Sequence, residues 1–145
     1  MPKEYNNYVE AVQALEVGQV SPVVETPFGF HVIKRLKLER ISVSHILIAY
    51  NDSDGDPREP RSKGEATRLA RTVLNKALAA DADFGALAKA YSDDPDSAIK
   101  EGALGSFARG MLEPKFEQMA FGLKVGHISD VVKTRFGFHV ILRTK

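Results

Sequence analysis

The sequence predicts an α+β protein, with a small, mostly antiparallel four-stranded sheet surrounded by helices. Three observations support this class. A β-branched, apolar run occupies residues 41–50 (ISVSHILIAY), and three later stretches place apolar residues at helical spacing. The chain then ends in two short apolar segments, HISDVV and FGFHVIL, with a turn between them. Because strands and helices come in runs rather than in strict alternation, the order favours an α+β domain.

The first predicted strand and helix lie in residues 41–77. The run at 41–50 is apolar on both faces, which is typical of a central strand. Residues 51–60 (NDSDGDPREP) are rich in turn formers and charge, so they predict a surface loop. Ser62 and Glu65 have the spacing of a capping box, and apolar residues follow at helical spacing as far as Ala77. We therefore expect an amphipathic helix after the loop.

The remaining elements complete the domain. A second helix is predicted from Asp83 and a third from Pro114, since proline is favoured in the first turn of a helix. Between them, GALGSF at 102–107 predicts a short strand entered through glycine. The segments HISDVV (127–132) and FGFHVIL (136–142) predict two strands joined by a tight turn.

An internal repeat links the two ends of the chain. The segment LEVGQVSPVVETPFGFHVIKR at 15–35 matches LKVGHISDVVKTRFGFHVILR at 123–143 without a gap, at a constant offset of 108 residues. Agreement of this length indicates a true repeat. The second copy follows a long patterned region that begins at residue 41, and the first copy has no such region before it. We therefore expect residues 1–40 to be the C-terminal fragment of a preceding repeat plus a linker, and residues 41–145 to be a complete domain.

Composition excludes several classes of function. The net charge is +1 and the basic residues are spread along the chain, so nothing in the charge pattern attracts nucleic acid. The chain has no cysteine, which excludes disulfides, thiolate catalysis and sulfur-ligated metals. No apolar run is long enough to span a bilayer, and the N-terminus has no signal-peptide core. We expect no nucleic-acid partner and no membrane insertion.

Five blocks of residues 41–145 resemble the parvulin (PpiC, or rotamase) family of peptidyl-prolyl isomerases. In chain order they are VSHILI at 43–48, DFGALAKAYSDD at 83–94, GALGSFARGML at 102–112, PKFEQMAF at 114–121 and GHISDVVKTRFGFHVILR at 126–143. The first repeat copy is similar to the C-terminal third of another such domain. The whole chain thus resembles a fragment of a tandem-parvulin foldase.

The resemblance also implies a site. It implies His45 and His139 side by side under the site, with Asp94 opposite, as the catalytic residues. It implies a cradle for the proline ring, made of Leu104, Leu112 and Phe116 with Phe136 at the rim. Asp94 stands where some parvulins have a cysteine, which makes a covalent nucleophilic mechanism untenable. The resemblance implies no cofactor and no metal.

Other candidate residues receive simpler interpretations. His31 is the repeat equivalent of His139, but it lacks a partner strand and is expected to be structural, and His127 is expected to be exposed. The phenylalanines of the two FGF strings, apart from Phe136, are expected in the core: Phe28, Phe30 and Phe138. The hairpin in residues 1–36 has no complete core of its own. We therefore expect it either to be mobile or to cover its apolar face and open edge by docking on the intact domain or, in weak self-association, on another copy of the chain.

The loop after the first strand bears on specificity. It opens with three aspartates at alternate positions, whereas phosphate-specific parvulins carry basic residues there. Three basic residues follow, but the acidic neighbours would repel a phosphate: Arg58, Arg61 and Lys63. A calcium loop is disfavoured, because Pro57 and Lys63 stand where such a loop needs glycine and glutamate.

Two functions remain from the sequence. One is isomerisation of Xaa-Pro bonds in unfolded or folding chains, without phospho-specificity. The alternative is a catalytically weak, peptide-binding chaperone module with the same fold. The expected partners are proline-containing peptides and unfolded client proteins. Similar tandem proteins are mostly periplasmic or secreted, which implies the same location for the parent protein, with the cytoplasm as the alternative.

Overall fold

The structure is a computed structural model that describes residues 3–145, with Glu4 described by its backbone alone. It divides into two compact units, of which the first ends at Glu39 and the second comprises Arg40–Lys145. No helix in this described part of the chain is long and apolar enough to cross a membrane.

The first unit is a helix followed by a hairpin. A 3-10 turn at Lys3–Tyr5 leads into α1 (Asn6–Ala14), and β1 (Val24–Thr26) pairs antiparallel with β2 (Gly29–His31). Its buried apolar residues are few: Leu15 and Ile33. The guanidinium of Arg35 donates to the carbonyl of Leu15, which ties the end of the hairpin to the end of α1.

The expectation that Phe28 and Phe30 are core residues is wrong. Phe28 is 67% exposed and Phe30 is 75% exposed, whereas Phe138, the repeat equivalent of Phe30, is 6% exposed. The reason is the missing cover. Phe138 packs in a cluster with residues of helices in the second unit, and the described residues of the first unit contain no corresponding helices.

The second unit has the predicted α+β architecture. Its elements, in chain order, are β3 (Arg40–Ile48), α2 (Lys63–Ala77), α3 (Phe84–Tyr91), α4 (Pro95–Ala98), β4 (Ala103–Ala108), α5 (Pro114–Gly122), β5 (Val132–Thr134) and β6 (Gly137–Arg143). The four strands form one antiparallel sheet in the order β4-β3-β6-β5, so β3 and β6 are central.

Helices pack on both faces of this sheet. On one face, Ile46, Ile48 and Val140 pack with α2 and α3. On the other face, Ile41, Val43 and Ile141 pack with α5. The alternation of side chains along a strand assigns odd-numbered residues of β3 to the α5 face. His45 therefore lies on the α5 face, between Val43 and Leu47 in the strand.

Local signals account for the helix starts. The predicted capping box is present: the Ser62 hydroxyl accepts from the Glu65 amide at 3.2 Å, and the Ser62 amide donates to the Glu65 carboxylate at 2.7 Å. Asp83 caps α3 by accepting from the Ala86 amide. Pro114 occupies the first turn of α5, as predicted.

Two local predictions were incomplete. The short helix α4 was not predicted, and the strand expected at 127–132 begins only at Val132. In the segment before it, Ile128 forms a single bridge to Leu142. The Ser129 amide donates to the Ile141 carbonyl at 2.8 Å, but the Ile141 amide donates to the Ser129 hydroxyl at 3.0 Å, so a side chain replaces one main-chain bond of the ladder there.

Candidate active site

Two histidines meet on the α5 face of the sheet. His45 in β3 lies opposite Ile141, and His139 in β6 lies opposite Leu47, so the two rings are diagonal neighbours on adjacent strands. Their Nδ1 atoms are 3.1 Å apart, and the ring planes differ by 22°. Both residues are buried. The arrangement brings together two imidazoles that are far apart in sequence.

Polar side chains extend this pair at both ends. At one end, His45 Nε2 lies 2.8 Å from Asp94 Oδ2 and 3.1 Å from the Ser97 hydroxyl. The Ser97 hydroxyl also donates to the same oxygen of Asp94. At the other end, His139 Nε2 lies 2.7 Å from the Thr134 hydroxyl. The result is one continuous chain of hydrogen bonds from Asp94 to Thr134.

For two neutral imidazoles, the Asp94 carboxylate determines both tautomers. A carboxylate only accepts, so His45 Nε2 carries a proton and donates it. His45 Nδ1 is then an acceptor for the proton on His139 Nδ1. His139 Nε2 in turn accepts from the Thr134 hydroxyl. In the described part of the chain, no buried side-chain nitrogen or oxygen lacks a hydrogen-bond partner.

The pKa values of Asp94 and His139 favour these protonation states. The hydrogen bond from His45 lowers the pKa of Asp94 to about 2, against the opposing effect of burial. Burial, together with a smaller effect of the neighbouring His45, lowers the pKa of His139 to about 3. Asp94 is therefore ionised at neutral pH, while His139 is uncharged.

A small apolar cavity of about 160 Å³ lies over the histidine pair. Phe116 meets both imidazoles edge to face, with ring centroids 5.8 Å from His45 and 5.1 Å from His139. The lining includes both predicted histidines and all four residues of the predicted cradle, together with two others: His45, Leu104, Leu112, Glu113, Phe116, Thr134, Phe136 and His139. Asp94, which is hydrogen-bonded to His45 Nε2, is not one of the lining residues.

Sequence reasoning missed three residues of this site: Glu113, Thr134 and Ser97. Glu113 caps α5, since its carboxylate accepts from the amides of Lys115 at 3.0 Å and Phe116 at 3.1 Å, which orients Phe116. Thr134 could have been found, because Thr26 occupies the same place in the first repeat copy. No local signal pointed to Ser97, which reaches His45 only through the fold.

The loop between β3 and α2 is tied down by a buried carboxylate. Asp93 accepts from the amides of Ala49 at 2.8 Å and Arg58 at 2.9 Å, and it pairs with the Arg61 guanidinium. The Arg58 guanidinium donates to the carbonyls of Lys89 and Ala90 at the end of α3. Both arginines of this loop thus help to attach it to the rest of the domain.

In the residues that the structure describes, no group of three or more acidic or imidazole side chains could hold a metal ion.

The first unit repeats half of this arrangement. The Thr26 hydroxyl lies 2.7 Å from His31 Nε2, as in the second copy, and Tyr8 meets His31 edge to face. A cavity of about 120 Å³ adjoins these residues. Its described residues contain no counterpart of His45 or Asp94, because they lack a strand equivalent to β3. His127, in contrast, is exposed, as expected.

Comparison with known proteins places these features in a family. A family model described as a PPIC-type PPIASE domain matches residues 34–144, and a second model of the same description matches residues 1–37. The chain is 32% identical to the chaperone SurA of Nitrosococcus oceani over 143 residues, which cover 92% of this chain and 32% of that protein. It is also 32% identical to the foldase protein PrsA 4 of Bacillus cereus, covering 99% of this chain and 49% of that protein.

A solved structure agrees with this assignment. The peptidyl-prolyl isomerase ESS1 from Candida albicans is 32% identical and superposes with a TM-score of 0.68, over 73% of this chain and 63% of that one. The chain spans about a third of the length of the SurA protein that it matches. Since a family model covers most of the chain, the protein belongs to the PPIC-type, or parvulin, family of peptidyl-prolyl isomerases.

Proposed function

We propose that the chain catalyses cis–trans isomerisation of Xaa-Pro bonds in unfolded or folding protein chains. The observation that carries the proposal is a small apolar cavity whose floor is a buried, fully hydrogen-bonded histidine pair. Its volume of about 160 Å³ is close to the roughly 150 Å³ that a dry, apolar cavity needs to take a benzene-sized ring. A proline ring is of comparable size, whereas a long side chain is not.

The chemistry requires no covalent intermediate. Rotation about a prolyl peptide bond meets a barrier of roughly 18–20 kcal/mol because the amide loses its conjugation. The planar amide is more polar than the twisted one, so an environment from which water is excluded favours the twisted state. Leu104, Leu112 and Phe116 supply that environment, and Phe136 at the rim helps to hold the proline ring while the preceding carbonyl rotates.

The hydrogen bonds of the histidine pair keep the floor of the cavity rigid. Each ring nitrogen is engaged in the chain from Asp94 to Thr134, so the rings have one orientation, and burial keeps the His139 ring uncharged at neutral pH. Asp94 acts through His45, since it is hydrogen-bonded to that ring and does not line the cavity. We therefore assign His45 and His139 to the floor, and Asp94 to the polarisation and orientation of His45.

The organisation of the chain follows the same proposal. Residues 1–40 are the C-terminal part of a preceding parvulin-like repeat plus a linker, and residues 41–145 are the complete domain. Support comes from the two family-model matches and from the Thr-His pair that both copies share. By analogy with SurA and PrsA, the parent protein assists the folding of unfolded clients and acts in the periplasm or outside the cell.

Phosphopeptides are not preferred substrates in this proposal. Arg58 and Arg61 are held by carbonyls of α3 and by Asp93, so a phosphate would have to break these bonds. Peptides with phosphoserine or glutamate before proline should be turned over no faster than those with alanine or leucine. A large preference for the phosphopeptide that disappears in the Arg58→Ala/Arg61→Ala double variant would contradict this specificity.

An exchange assay tests the central proposal. NMR exchange spectroscopy, or a protease-coupled assay, on short Xaa-Pro peptides should show faster isomerisation with the protein than without it. The His127→Ala variant should match the wild type, because that histidine is exposed and does not line the cavity. If no Xaa-Pro peptide is accelerated while NMR titration still detects peptide binding, the binding-module alternative holds instead.

A further inference from the structure

The turn between β5 and β6 carries Phe136 at the rim of the cavity, and the loop at residues 51–62 lies directly against it. The Asp54 amide donates to the Arg135 carbonyl at 2.9 Å. A Cβ atom on Gly55 would lie 2.3 Å from the Phe136 carbonyl oxygen and 2.9 Å from the Ala49 Cβ. The loop backbone thus touches the turn backbone at Gly55, where a side chain has no room.

The same turn is confined from its other side. Gly137 has φ +138°, and a Cβ there would lie 2.4 Å from the Ile48 carbonyl oxygen. The Phe136 amide donates to the Thr134 hydroxyl at 3.2 Å. The main chain of Phe136 is therefore held between the end of β3 and the loop, with little freedom to move away from either.

The loop at residues 51–62 is itself anchored, so it can hold the Phe136 turn in place. The buried carboxylate of Asp93 holds the amide of Ala49 at the start of the loop, the amide of Arg58 and the guanidinium of Arg61 at its end. A second bond joins the Arg61 guanidinium to the Ala49 carbonyl at 2.9 Å. The segment between these anchors cannot shift without breaking bonds to a buried charge, which is costly.

The first unit provides an internal comparison. Its turn has the same local bond, since the Phe28 amide donates to the Thr26 hydroxyl at 3.3 Å. The described residues of that unit contain no loop corresponding to 51–62, and a Cβ on Gly29 would meet nothing within 4 Å. There Phe28 is largely exposed. The bond from the phenylalanine amide to the threonine hydroxyl forms in both copies, so the turn sequence is enough to produce it. Among the described residues, only the second copy has the loop contact, and only there is the phenylalanine partly buried.

We propose that Gly55, with the backbone amide of Asp54, is a positioning residue for substrate binding: it braces the Phe136 turn and so holds the rim of the proline pocket. This inference rests on the proposed isomerase function. Phe136 lines the cavity in which the proline ring would sit before and during rotation, so it contributes to binding in the ground state and the transition state alike. Losing its position should raise KM and leave kcat nearly unchanged.

Gly55→Ala tests the brace, with Gly64→Ala as the matched control. The φ of Gly55 lies outside the region that L-residues avoid, so the added methyl acts through its collision alone. A Cβ on Gly64 would find no atom closer than 3.9 Å. We expect a KM about tenfold higher for Gly55→Ala with kcat within twofold of the wild type, and no change for Gly64→Ala. An unchanged KM in a folded Gly55→Ala protein would overturn the proposal.

Two further measurements separate the possible causes. Gly55→Ala combined with Phe136→Ala should show no further rise in KM beyond Phe136→Ala, because both changes act through one ring; fully additive effects would refute the brace. If Gly55→Ala does not fold, Asp54→Pro removes the amide bond to Arg135 and should raise KM in the same way. Asp54→Ala is its control, because it removes only the carboxylate, which lies 3.8 Å from Arg135 Nε. If the wild type is inactive, the proposed function fails, but peptide dissociation constants from NMR titration of the same variants still decide whether Gly55 positions the rim.

Discussion

Acidification should destabilise the folded domain through His139. Burial lowers the pKa of this residue to about 3, whereas an imidazole in an unfolded chain titrates near 6.5. Between these two pH values the unfolded chain binds a proton that the folded chain does not. The stability is therefore complete above about pH 6.5 and is lost as the pH falls towards 3.

The size of the loss follows from the pKa difference. Each pH unit in this window costs about 1.36 kcal/mol, so full acidification costs roughly 5 kcal/mol through His139 alone, with its pKa near 3. A loss of this size is comparable to the whole stability of a small domain, which is about 5–15 kcal/mol. Asp94 acts at lower pH: its pKa is lowered to about 2, so its contribution is present above about pH 3.8 and is lost below it.

Chemical unfolding at several pH values measures this effect. Urea titrations followed by circular dichroism at pH 7, 5 and 4 should give a free energy of unfolding that falls by roughly 3 kcal/mol between pH 6.5 and 4. The His139→Gln variant, which cannot take up the proton, should lose most of this pH dependence. His127→Ala should keep it, since that side chain is exposed. Equal pH dependence in wild type and His139→Gln would refute the assignment of His139 as the buried neutral base.

The remaining predictions concern the site and the first unit. His45→Ala and His139→Ala should each lower the rate of isomerisation at least tenfold or destabilise the domain by about 1–3 kcal/mol, whereas His127→Ala should do neither; exchange assays and urea unfolding measure both. Thr134→Val should cost about 1–3 kcal/mol of unfolding free energy at pH 7, because His139 Nε2 would lose its donor; an unchanged midpoint would contradict the proposed tautomers. Deleting residues 1–36 should leave kcat/KM within a few-fold while changing solubility or self-association in size-exclusion chromatography. Loss of activity in a deletion that still folds would mean that those residues complete the site.

Elements with strong local signals were predictable from the sequence. The helix after Ser62 begins where its capping box stands, and α5 begins at the predicted proline. The apolar run that became β3 lies in the centre of the sheet, as its two apolar faces indicated. At Ser129, where a side-chain hydroxyl takes the place of one main-chain bond, the pattern alone overestimated the length of a strand.

Some residues of the candidate site were predictable from the sequence and others were not. The sequence, through its resemblance to the parvulins, predicted the residues that could form a proline pocket. The structure brings those residues around one cavity. Ser97 was not predictable, because it reaches His45 only through folding of the chain. Thr134 was missed although it lies five residues from His139 and is repeated as Thr26 beside His31. Phe28 and Phe30 show that an identical local sequence does not fix burial. The FGF string is shared with the second copy, but in the first unit both phenylalanines are exposed because no helices in its described residues cover them.

The sequence by itself determined where α2 and α5 begin, which segment is repeated and which side chains share one face of β3, because these properties depend on neighbours a few residues away. Only the tertiary structure decided that His45 and His139, 94 residues apart, share a hydrogen bond, and that Gly55 meets the Phe136 carbonyl. Such contacts depend on strand order and register, to which every part of the core contributes and which no short stretch of sequence specifies.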